Sequence, residues 1–128
     1  MSKTTSIIIF VITLILLVGG LFLATRTPPQ SIETAKLDQF AQCLTDKGMV
    51  MYGAYRCQHC KNVKEKFGSS FSKINYVECT IETKTCTEKA INSYPTFIWS
   101  DGSRSEGELT FGQFAEKSGC ELPEKSTD

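Results

Sequence analysis

Hydrophobic and polar positions divide the chain into two unequal parts. Residues 7–24, IIIFVITLILLVGGLFLA, carry no charge. As a helix rising about 1.5 Å per residue, this run reaches roughly 27 Å, close to the hydrocarbon thickness of a bilayer. A signal-peptide core is shorter, about 7–15 residues, and ends at a small-x-small site. The stretch FLATRTPP is a poor match to such a site. The pattern therefore predicts an uncleaved signal anchor, a single transmembrane helix, over residues 1–26. Pro28 and Pro29 block its continuation, and residues 27–35 read as a linker.

Beyond the linker the apolar positions become periodic. Leu37, Phe40, Ala41 and Leu44 recur at helical spacing and predict an amphipathic helix over residues 32–46, which Gly48 ends. MVMYGAY (49–55) reads as a short buried strand. KNVKEKF (61–67) reads as a helix with Val63 and Phe67 on one face, broken by GSSF (68–71). INYVEC (74–79) is a second strand, TEKAIN (87–92) a short helix and YPTFIWS (94–100) a third strand. Asp101 and Gly102 make a hairpin turn into a polar edge strand, SRSEGEL (103–109). TFGQFAEKSG (110–119) closes as a helix with Leu109, Phe114 and Ala115 inward and Gly119 as its stop. A β-α-β unit followed by a hairpin gives an α/β fold, a mixed four-stranded sheet flanked by helices. It occupies residues 36–122, with 123–128 as a tail.

Composition adds the compartment. Fourteen basic and 14 acidic residues cancel, so nothing global points to nucleic acid. Six cysteines in 128 residues is a high and even count, which leans toward an oxidising compartment. Charge flanking the apolar run orients it only weakly, with Lys3 before it and Arg26 after it. The cysteines decide: the soluble part is expected outside the cytoplasm, on a single-pass membrane protein.

The candidate chemistry lies in YRCQHCKNV, residues 55–63. The spacing puts Cys57 at a strand-to-helix junction and Cys60 one turn into the helix. Unpaired N–H groups and the positive end of the helix dipole favour an anion at Cys57. A thiolate is the species that attacks a disulfide, and Cys60 is near enough to resolve the mixed disulfide that results. His59, when protonated, and Arg56 add positive charge. So do Lys47, Lys61, Lys64, Lys66 and Lys73, opposed between residues 47 and 73 by Glu65 alone. A solvated basic face is the other reading of that run, and His59 and Arg56 also admit plain surface roles. A stabilised thiolate makes the disulfide oxidising, so an oxidant or isomerase is expected rather than a strong reductant. Pro95 opens a core strand, where it has no N–H to give to the ladder. A cis Tyr94–Pro95 bond would turn the Tyr94 backbone toward Cys57 and offer the edge at Tyr94 and Thr96 to a substrate peptide; a trans proline at a strand start is the alternative.

The strand–CQHC–helix, the later YPT and the element order resemble the thioredoxin superfamily over about residues 36–120. More narrowly, FAQCLTDKGMVMYGAYRCQHCKNVKEKFG, INYVEC and YPTF look like the thioredoxin-like domain associated with bacterial vitamin K epoxide reductase homologues. The resemblance implies a thioredoxin-like fold, Cys57 as nucleophile, Cys60 as resolving thiol and Pro95 as a cis proline. It also implies cysteine-containing secreted proteins as clients and a vitamin K epoxide reductase-like membrane quinone reductase as redox partner; no cofactor is expected. Three positions depart from the pattern. Arg56 replaces a usual tryptophan, Gln58 a common proline, and MVMYGA lacks the buried acid that assists the resolving thiol. Glu78 on the next strand is a candidate substitute.

The other four cysteines are expected to be structural. The simplest of 15 connectivities pairs Cys79 with Cys86 and Cys43 with Cys120. A relay in which Cys79 and Cys86 exchange electrons with Cys57 and Cys60 is the rival scheme. Two other classes of function stay open. Cys57, Cys60, Cys79 and Cys86 superficially match a four-cysteine zinc site, and His59 with the pair would suit copper, although the x6 gap between Cys79 and Cys86 is wide where zinc ribbons use x2. A redox-inert adaptor that uses the fold to hold a membrane partner is the third class.

Overall fold

A computed structural model describes residues 3–24 and 31–123, which fall in two compact units, 1–30 and 31–128. Residues 1–2, 25–30 and 124–128 lie outside the described residues, and with them both ends of the expected anchor, the first part of the linker and most of the tail. The first unit is one helix, α1 (Lys3–Ala24), long and apolar enough to cross a membrane. Its Thr13 hydroxyl bonds back to the Ile9 and Phe10 carbonyls at 3.0 and 2.9 Å. That satisfies the polar group within the helix, as an apolar solvent requires.

The second unit runs α2 (Ile32–Asp46), β1 (Val50–Gly53), α3 (Gln58–Phe67), β2 (Tyr76–Glu78), α4 (Thr83–Glu88), β3 (Thr96–Ile98), β4 (Arg104–Glu106) and α5 (Phe111–Ser118). α2 begins inside the segment read as linker: Ser31 caps it by accepting the Thr34 N–H at 3.2 Å. Gly48, in the left-handed region at φ 80, turns the chain into β1. The sheet order is β2-β1-β3-β4, with β1 parallel to β2 and antiparallel to β3, and β4 antiparallel to β3 at the edge. The cysteine motif follows β1 directly, and the Tyr94–Pro95 peptide, which is cis, precedes β3, so the arrangement is the mixed four-stranded sheet flanked by helices that the periodicity predicts.

Alternation along β1 gives the sheet two covered faces. Met51 joins the main core, with Phe40 and Leu44 of α2, Val63 and Phe67 of α3, Phe97 of β3, and Phe111 and Phe114 of α5. Its aromatic rings meet edge to face, Phe67 to Phe111 at 5.1 Å and Phe97 to Phe114 at 5.0 Å. Tyr52 points the other way, onto Cys79 and Cys86.

Two elements differ from the periodicity. GSSF does not simply break α3. It continues as a 3-10 turn, residues Gly68–Lys73, after Gly68 at φ 53. α4 sits four residues earlier than TEKAIN, because Ala90 adopts φ 49 and ends it. Ile91, beyond the end of α4, packs on the small cluster with Tyr52.

Disulfides tie the unit at two places. Cys43 at the end of α2 is bonded to Cys120 beyond α5, with Cα atoms 6.1 Å apart and a sequence separation of 77. Cys79 after β2 is bonded to Cys86 in α4, with Cα atoms 5.7 Å apart. The longer closure restricts the unfolded chain most. Replacing both Cys43 and Cys120 by Ala is expected to lower unfolding stability by about 2–4 kcal/mol, measured by urea unfolding of the purified chain. An unchanged midpoint would show that the bond does not form.

Candidate active site

β1 ends at Gly53, and the chain turns through Ala54, Tyr55 and Arg56 before α3. The Cys57 N–H closes this turn on the Ala54 carbonyl at 3.0 Å. Cys57 is then the N-cap of α3, and its sulfur accepts the Cys60 N–H at 3.3 Å. An orphan donor of the helix end is thus aimed at the sulfur. The Cys57 thiol also donates to the Tyr94 carbonyl at 3.5 Å. That carbonyl belongs to the cis Tyr94–Pro95 peptide, so two segments far apart in sequence converge on one sulfur.

Cys57 is half-buried and Cys60 fully buried, and both are free thiols. Burial, followed by the hydrogen bond with Cys57, pushes the Cys60 pKa up to about 12. Lys64 pulls weakly the other way. The two cysteines therefore differ in access: one faces solvent, the other is shut behind it.

The remaining residues singled out in the sequence are distributed unevenly. Arg56 is exposed and lies over the Tyr55 ring, 5.2 Å from its centroid. Tyr94 is exposed beside Cys57. The Thr96 side chain is buried and bonds the Ser93 carbonyl at 2.8 Å, so it shapes the turn before β3 and does not line the surface. His59 is exposed, and its Nδ1 meets Glu108 Oε1 at 2.6 Å. The same oxygen accepts from Asn62 Nδ2 at 2.8 Å. These two bonds hold the Glu108 carboxyl below the ordinary carboxylate range. Cys79 and Cys86 are bonded to each other, so the four-cysteine zinc set is not assembled.

A second acid adjoins the motif. Glu78 Oε1 accepts the Tyr55 N–H at 3.2 Å, the Thr80 N–H at 3.3 Å and the Thr80 hydroxyl at 2.6 Å. Its Oε2 accepts the Tyr76 hydroxyl at 2.7 Å. Desolvation opposes ionisation, but these bonds outweigh it and hold the carboxyl below its usual value. Glu108, Asn62 and Tyr76 carry no local sequence signal. Each joins the site only through the fold.

The chain is 37% identical over 106 residues to the thiol-disulfide oxidoreductase LTO1 of Arabidopsis thaliana. The match covers 76% of this chain and 28% of that protein, so the chain spans less than a third of its relative. The crystal structure of the NTD_N/C domain of alkylhydroperoxide reductase AhpF from Enterococcus faecalis superposes with a TM-score of 0.45 at 14% identity, over 73% of this chain and 45% of that one. No protein-family model matches the chain.

A buried thiol titrating at about 12 should be inert at neutral pH. With Cys57→Ser, iodoacetamide is expected to modify Cys60 at pH 8 at least about a hundredfold more slowly than a free cysteine of pKa about 8.5. The rate should still climb about tenfold per pH unit at pH 10. A plateau near pH 9 would contradict the geometry.

Proposed function

From a fold and a relative that both support the thioredoxin superfamily, we propose that the chain is a membrane-anchored thiol–disulfide oxidoreductase. The observation that carries the reading is the convergence on Cys57. Its sulfur sits at the N-terminus of α3, receives the Cys60 N–H and faces the Tyr94 carbonyl across the cis peptide. α1 serves as the single-pass anchor, with the domain outside the cytoplasm. The two structural disulfides and the uncharged run support that placement.

In the oxidising direction a client thiolate attacks Cys57 Sγ of the Cys57–Cys60 disulfide. The S–S bond breaks and Cys60 leaves with its electron pair, taking up a proton. A second client thiolate attacks the client sulfur of the mixed disulfide, and Cys57 leaves as thiolate. The client gains a disulfide, and the pair holds two electrons. A vitamin K epoxide reductase-like membrane quinone reductase is the partner proposed to accept them. Clients are cysteine-containing secreted proteins, bound along the exposed Tyr94 backbone beside Cys57, with Arg56 at the rim. No metal or other cofactor enters this cycle.

Equilibrating the purified chain against glutathione buffers, with alkylation and mass spectrometry as the readout, is expected to give a Cys57–Cys60 potential near about −120 to −180 mV. Cys57→Ser should abolish the exchange. A value near about −270 mV would reverse the direction to a reductant. An unreactive Cys57 would leave the adaptor reading.

A further inference from the structure

Every turn of the proposed cycle moves a proton on or off Cys60, yet that sulfur is fully buried. β1 supplies no acid or base to it. At the end of β1, the Cys60 sulfur lies 3.0 Å from the point where a Cβ on Gly53 would sit. The Tyr76 hydroxyl oxygen lies 3.2 Å from that same point, and Tyr76 Cε2 3.0 Å. The thiol and the phenol therefore border one small space, open only because residue 53 is glycine.

The phenol is oriented. Its hydrogen is committed to Glu78 Oε2 at 2.7 Å, which leaves the oxygen lone pairs to accept. The Lys64 ammonium lies over the Tyr76 ring, 3.9 Å from the centroid, and 5.5 Å from that of Phe71. Its charge favours the ionised form of Cys60. The titratable groups facing Cys60 are thus Cys57, Lys64 and Tyr76, with Glu78 behind Tyr76. The phenol itself stays protonated, because burial and then Glu78 push its pKa up.

We propose that Tyr76, oriented by Glu78, is the proton-transfer partner of Cys60. When Cys60 resolves a mixed disulfide, its S–H proton passes to the Tyr76 oxygen, directly or through one water. The Tyr76 hydrogen moves to Glu78 Oε2, and Glu78, ionised at neutral pH, releases it to solvent. The Cys60 electron pair forms the Cys57–Cys60 bond, and the departing thiolate carries away the pair of the broken bond. When Cys60 is the leaving group, the proton runs the same path inward. Glu78 is a positioning residue in this scheme, acting through Tyr76, and Lys64 offsets the charge on sulfur. The inference rests on the oxidoreductase reading.

The test uses the reduced full chain in detergent micelles with oxidised glutathione, acid-quenched and read by mass spectrometry. The dependence on glutathione concentration reports attack by Cys57, and the plateau rate reports resolution by Cys60. Tyr76→Phe keeps the ring and its contact with Lys64. It is expected to slow resolution about a hundredfold at pH 7, within the usual range for general acid–base catalysis. The glutathionylated intermediate should accumulate, attack by Cys57 should be unchanged, and the deficit should narrow as pH rises. Glu78→Gln is expected to move resolution in the same direction by less. Wild-type resolution in Tyr76→Phe would overturn the proposal. So would equal slowing of both steps at every pH, which marks a packing role. If the unaltered chain forms no mixed disulfide at all, the oxidoreductase reading itself falls.

Discussion

The close approach of α3 to the end of β1 is the constraint on which the site depends. A Cβ at residue 53 would lie 3.0 Å from the Cys60 sulfur, so close that the sulfur and the first turn of α3 would have to give way. Glycine at that position lets the helix seat its first turn against the strand and bury Cys60 completely. Burial in turn makes the two cysteines unequal, since desolvation raises one thiol while the other stays at the surface. An ordered exchange, first at Cys57 and then at Cys60, needs that inequality.

The rest of the domain holds this junction in place. β1 is paired on both sides, to β2 and β3, so the strand leading into the motif is interior to the sheet. β3 delivers the Tyr94 carbonyl to Cys57, because its register sets Thr96 opposite Tyr52. α3 is pinned from below by Val63 and Phe67 in the main core, and from the side by the pair of bonds to Glu108. The disulfides lie elsewhere, one across the ends of the domain and one on the opposite face of the sheet. The bonded cysteines are thereby kept apart from the free pair, to which the proposed exchange falls.

What could be read from the sequence follows from how local each feature is. The fold was legible because apolar alternation in MVMYGAY and helical spacing at Phe40, Ala41 and Leu44 depend on near neighbours. The strand–CxxC–helix junction was legible for the same reason. α4 lies four residues before TEKAIN because a positive φ at Ala90, which no local sequence pattern signals, turns the chain first. The engagement of His59 was hidden altogether. Its charge was read as an influence on Cys57, but its partner, Glu108, stands 49 residues away and reaches it only through the fold. Thr96 was read as a surface contact because the edge of a strand was imagined there. In the structure β3 is paired on both sides at that residue, with Tyr52 and with Glu106.

The missing acid in MVMYGA has a physical counterpart in the neighbouring strand. Parallel pairing sets Tyr76 beside Met51 and Glu78 beside Gly53. Residue 53 has no side chain with which to reach Cys60, and the β1 side chains before it are committed to the cores on the two faces of the sheet. The phenol that borders the buried sulfur comes instead from β2. Glu78 spends Oε1 on the Tyr55 and Thr80 donors and Oε2 on the Tyr76 hydroxyl, so its link to the sulfur runs through the tyrosine. Those same bonds fasten the acid to the turn that carries Cys57. A change of charge at Glu78 would thus be felt at both cysteines, through the Tyr55 N–H on one side and the Tyr76 hydroxyl on the other.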